Sequence, residues 1–236
     1  MVAQSPAVEL VAQAKDDRDG SLPPLLFVLT IVTGLVDSVS YLALGHVFVA
    51  NMTGNVVFLG FAIAGVQDFS IPASVAAVAA FLVGALVGGR LASAMAQHRS
   101  RFFAIAILVK LALVGIALVI AIAIGDTDVV RYGLIALLAL AMGLQNAAAR
   151  FLAVPDLTTT VLTLTLTGLA ADSTLAGGNN PRVGRRLLAT GAMFLGAAVG
   201  AFLVLHIGVS AVLALTFTLL ALNAVAARRL WSRSVA

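Results

Sequence analysis

The chain is a succession of apolar stretches of membrane-crossing length, and no other feature limits its fold as strongly. Eight such stretches run Pro24–Leu44, Val47–Val66, Pro72–Ala96, Phe102–Ile124, Arg131–Leu152, Leu157–Ala171, Arg186–Leu205 and Gly208–Ala227. A helix needs about 20 residues, at roughly 1.5 Å each, to cross the hydrocarbon core. The sixth stretch, held between Asp156 and Asp172, has only 15 residues and reaches just ~22 Å as a helix. Only 10% of all residues are charged and 61% are hydrophobic. A soluble domain carries about 25% charged residues, so this chain has too few to cover a water-facing surface. An all-α integral membrane protein, in contact with the lipid bilayer, is the expected class.

The formal charge of +4 does not point to nucleic acid, because basic residues collect on the cytoplasmic side of membrane proteins. Their positions also choose a topology. Eight crossings would leave nine lysines and arginines inside and four outside. If the second and sixth stretches enter and leave by the same side, twelve fall inside, among them Lys15, Arg18, Arg90, Arg99, Arg101, Arg150, Arg182, Arg185, Arg186, Arg228, Arg229 and Arg233, with Arg131 alone outside. The second arrangement obeys the positive-inside rule better. About six transmembrane helices plus two re-entrant or short helices are therefore expected, with both termini cytoplasmic. Residues 1–22 read as a cytoplasmic tail with no cleavable leader, since no basic start precedes an apolar run. Residues 230–236 read as a short basic C-terminus.

An internal repeat ties the two unusual stretches together. "GLVDSVSYL" from Gly34 aligns with "GLQNAAARF" from Gly143, "MTGN" from Met52 with "LTLT" from Leu162, and "GALVG" from Gly84 with "GAAVG" from Gly196. The three matches occur in order, at offsets of 109, 110 and 112 residues, which indicates duplication. The two repeats span residues 23–125 and 126–229. With three crossings each, the second runs through the membrane in the opposite sense, the plan of many secondary transporters. Their solute sites lie near the midplane where interrupted segments meet.

Polar residues in such a chain mark the candidate pathway: Asp37, Tyr41, Asn51, Thr53, Gly54 and Asn55 in the first repeat, Gln145, Asn146, Thr160 and Thr163 in the second. Asn51, Thr53, Gly54 and Asn55 would shape a re-entrant turn and face Thr160 and Thr163 across a hydrated cavity. Thr158 and Thr165 extend the threonine row, although membrane threonines commonly bond their own backbone. Asp37 is deep enough to suggest an ion or proton pathway, or a static carboxyl bonded to nearby backbone. Gly34 and Tyr41 share its helical face, the one opening space and the other offering a phenol. Lys110 is the second deep charge, read either as a partner of Asp37 or as a side chain snorkelling to the interface. Gly84, Gly88, Gly196 and Gly200 have the spacing that lets membrane helices pack closely.

Enzymatic chemistry has no support. The absence of cysteine removes thiolate metal sites and thiol nucleophiles. His46, His98 and His206 are scattered without a second histidine at ligand spacing. No metal, cofactor or catalytic residue is expected.

The segment "GLVDSVSYLALGHVFVANMTGNVVFLG" resembles a signature of the YoaK-like family of bacterial multi-spanning membrane proteins, a family of unknown function. "GLQNAAARFLAVPDLTTTVLTLTLTGLAAD" resembles its second signature, with Leu164 where the family more often has glycine. The resemblance covers about Leu25 to Arg229 and implies a bacterial cytoplasmic membrane. It supplies no solute. The functional expectation is a secondary transporter of a small solute, proton- or cation-coupled through Asp37. A passive channel of the same fold and a non-transporting assembly or scaffold protein are the alternatives, and a homo-oligomer is compatible with either.

Overall fold

The computed structural model describes residues 22–125, 127–154, 162–179 and 182–235. Among them every regular element is helical: α1 (Leu22–Ala43), α2 (Met52–Ile63), α3 (Ile71–Ala94), α4 (Arg99–Ala123), α5 (Asp128–Leu152), α6 (Leu162–Ala171), a single 3₁₀ turn, α7 (Val183–His206) and α8 (Val209–Val235). Six of these are long and apolar enough to cross a membrane, and α2 and α6 are not. The 12 residues of α2 and the 10 of α6 extend only ~18 and ~15 Å. The helix starts follow local chemistry. Pro23 and Pro24 occupy the first turn of α1, where a missing N–H costs nothing. Ser70 caps α3 by accepting from Ala73 N, and Thr127 caps α5 by accepting from Val130 N. Helix α8 runs on through residues 230–235, the basic stretch noted in the sequence.

Glycine decides how the long helices meet. A Cβ on Gly34 would strike the backbone of Met193 and Ala197, so α1 and α7 touch at main-chain distance. Gly196 meets Ile31 in return. Gly143 meets Phe81 and Ala85 in the α5–α3 pair, and Gly84 meets Leu140. Ser38 adds a bond across the first pair, donating to Ala197 O at 2.9 Å. The packing role expected for Gly84, Gly88, Gly196 and Gly200 is therefore found, and Gly34 and Gly143 share it. Gly34 does not open space beside Asp37; that space is filled by the α7 backbone. Helices α4 and α8 pack on each other and on α5 and α1 respectively.

These contacts also set helix direction. Arg99 at the start of α4 donates to Leu152 O at the end of α5. Arg101 lies over Trp231 near the end of α8, and Asn223 of α8 donates to Leu25 O near the start of α1. Successive contacts of α1 with α7, and of α3 with α5, advance together along both chains. Helices α1, α4 and α7 thus start at one end of the bundle, and α3, α5 and α8 finish there. That end carries Arg90, Arg99, Arg101, Arg150, Arg182, Arg185, Arg186, Arg228 and Arg229, while Arg131 sits at the other beside Asp128.

Candidate functional site

The polar motif around Asn51 lies where the chain turns back into the bundle. After α1 the backbone reverses through Gly45 (φ 105°) and His46 (φ 56°), the left-handed region that a glycine enters without strain. Residues 44–51 are then non-helical. The Asp37 carboxylate Oδ1 accepts from Ala50 N at 2.9 Å and from Val49 N at 3.2 Å. Asp37 precedes the end of α1 by six residues, so Val49 and Ala50 lie about 9 Å back along that helix. Asn55 holds the preceding residue from the other side: its Oδ1 accepts from Phe48 N at 2.7 Å and its Nδ2 donates to Phe48 O. Asp37 is 6% exposed and Asn55 fully buried. Irregular backbone at membrane depth must have its N–H and C=O groups satisfied inside the protein. Two side chains from two helices do this here.

From that depth α2 returns to the end at which the chain entered. Phe48 stacks on Tyr41 (5.1 Å between centroids) and on Phe58 (5.6 Å), and Phe58 stacks on Phe69 (4.7 Å) just before α3. One ladder of rings thus joins the end of α1, the non-helical segment, the middle of α2 and the approach to α3. The second stretch enters and leaves by the same side, as its charge pattern predicts. Gly54 contributes by having no side chain, since a Cβ there would sit 2.7 Å from the Phe48 ring.

Other sequence expectations are corrected. Lys110 does not pair with Asp37, nor does it snorkel. It is 1% exposed and donates to Gln145 Oε1; Gln145 Nε2 donates to Thr33 Oγ1 at 2.9 Å, and Thr33 to Leu29 O at 2.8 Å. This relay links α4, α5 and α1 through the middle of the bundle. Gln145 accordingly faces the core and not a cavity. Thr33, unremarkable in the sequence, belongs to the same network; its one-turn spacing before Asp37 was the available signal. Tyr41 serves the ring ladder, and among the described residues its hydroxyl makes no bond to Asp37. Asn146, half-buried, donates to Met142 O at 2.9 Å within its own helix.

Asn51, Thr53 and Thr163 are exposed and Thr165 is buried; Thr158 and Thr160 lie outside the described residues. Helix α2 rests on α3 and α6 on α7. The expected facing of Asn51–Asn55 against Thr163 is thus not one of the packed helix pairs. Arg186 of α7 fastens α6, donating to Gly168 O and pairing with Asp172 at 2.8 Å. Among the described residues no group of histidine, aspartate and glutamate is placed to hold a metal ion.

Residues 25–226 match the model of a protein family of unknown function, DUF1275. The chain belongs to the DUF1275 family. A curated relative, the UPF0700 transmembrane protein YoaK of Bacillus subtilis (strain 168), is 34% identical over 150 residues, which is 63% of this chain and 65% of the relative. The YoaK-like resemblance read from the two signatures agrees with both findings. Within this DUF1275 protein the match covers the whole clamp from Asp37 to Asn55. No solved structure matches the chain.

Proposed function

We propose that this protein is a secondary transporter of a small solute, made of two inverted repeats, with its site where α2 and α6 begin near mid-membrane. One observation carries the reading: a non-helical segment, pinned by Asp37 and Asn55, opens into a short helix whose first turn exposes Asn51 and Thr53. Interrupted helices of this kind surround transporter sites. The duplication is supported by the glycine contacts, since the α1–α7 pair and the α3–α5 pair use residues at matching offsets in the two halves. A passive channel is the second reading, favoured by the fixed bonds of Asp37 to backbone, which suit a rigid wall better than a moving charge.

Thermal-shift screening of the purified protein against small metabolites and ions selects the solute for the deciding experiment. In proteoliposomes a transporter accumulates it against its gradient, and Asp37→Asn abolishes the accumulation. A channel only equilibrates it and survives the substitution. Absence of flux under every gradient defeats both readings and favours the scaffold.

The orientation belongs to the same proposal: both termini on the cytoplasmic side of a bacterial inner membrane, supported by the concentration of arginines at one end. The chain has no cysteine, so Ser100→Cys and Asn179→Cys can be introduced singly. An impermeant thiol reagent is expected to label both only after the cells are opened. Labelling of Ser100→Cys in intact cells would overturn the orientation.

A further inference from the structure

The last turns of α8 form a feature that transport does not use. Arg228 and Arg229 follow Val209 by 19 and 20 residues, about 30 Å along the helix, which is one hydrocarbon thickness. They emerge at an interface. With Val225, Trp231 and Ser232 they line an open recess of about 690 Å³. Arg101, from the first turn of α4, lies 5.6 Å from the centroid of the Trp231 ring. Other arginines at this end have protein partners: Arg99 donates to Leu152 O, and Arg186 pairs with Asp172. Arg101, Arg228 and Arg229 form no ion pair among the described residues.

Two arginines, Arg228 and Arg229, therefore line a recess whose indole wall is approached by a third, Arg101, at membrane-interface height. Guanidinium presents paired N–H donors that match phosphate oxygens. Tryptophan prefers the headgroup level, and basic recesses between membrane helices accept anionic headgroups. We propose that this recess binds a phosphodiester, supplied by the headgroup of an anionic phospholipid in the same leaflet. Val225 and the indole give an acyl chain an apolar surface to lie on, which a soluble phosphate ester would leave unused. This proposal stands independently of the transport reading.

Trp231 is the chain's single tryptophan, so its emission reports directly on the recess. The full chain in phosphatidylcholine nanodiscs of graded phosphatidylglycerol content is expected to show a saturable emission change that extra phosphatidylcholine does not produce. A basic side chain at an anionic surface contributes about fivefold in binding. The double variant Arg228→Gln/Arg229→Gln should therefore need about 25-fold more anionic lipid, and the exposure of both side chains leaves the fold intact. Identical responses to the two lipids, or an unshifted titration in the double variant, would overturn the site. Glycerophosphoglycerol, the soluble headgroup, separates the two sources: no response at matching concentration supports the lipid, and saturation there overturns the lipid assignment.

Discussion

Gly143→Val is expected to prevent stable assembly of the bundle, and Gly84→Val to do nearly the same. A Cβ at Gly143 would lie 2.8 Å from Ala85 N and 2.9 Å from Phe81 C, and one at Gly84 would meet Leu140 O. These neighbours are main chain, which cannot rotate aside, so α3 and α5 must separate along their whole contact. Overpacking a close-packed interior by a few methyl groups costs about 1–3 kcal/mol when side chains can yield; here ~3 kcal/mol is the lower bound. Size-exclusion profiles and thermal midpoints in detergent measure the loss. Gly89→Val and Gly133→Val, on the same two helices but with nothing within 4 Å, are the controls and should behave as wild type. A Gly143→Val protein with a wild-type midpoint would mean that the helices are not in main-chain contact.

Asp37→Ala should be the most damaging change to the candidate site. It strands the N–H groups of Val49 and Ala50, residues that are 0% and 4% exposed. Each buried donor left without a partner costs about 1–3 kcal/mol, so ~2–6 kcal/mol of stability should be lost. Asp37→Asn keeps a side-chain oxygen to accept from the same amides and should cost only about 1 kcal/mol. That difference makes Asn the right variant for flux and Ala the right one for stability. Asn55→Ala strands both backbone groups of Phe48, and because the two sites share one segment their effects should not add. An Asp37→Ala protein as heat-stable as wild type would remove the clamp from the account.

The membrane class, the helical fold and the six long helices were legible because they depend on length and hydropathy, which are local. The shortness of α6 was equally plain from Asp156 and Asp172. The arginine positions were enough to predict that the second stretch returns to its own side, since charge is sorted across the bilayer whatever the packing. The glycine motifs revealed close helix contacts but not their partners: Gly84 belongs against Leu140 and Gly196 against Ile31, pairings between distant segments.

The deep charges show the limit most clearly. Asp37 and Lys110 invited pairing, because opposite charges in an apolar chain would offset each other's desolvation. Tertiary structure placed them otherwise. The reversal at Gly45 and His46 lays two backbone amides against Asp37, while Lys110 meets Gln145, which Thr33 holds from α1. Sequence alone determined that these polar groups must be satisfied inside the protein, since lipid offers no partner. Which group satisfies which depends on where a loop folds back and how three helices converge, and that was settled only by the assembled bundle.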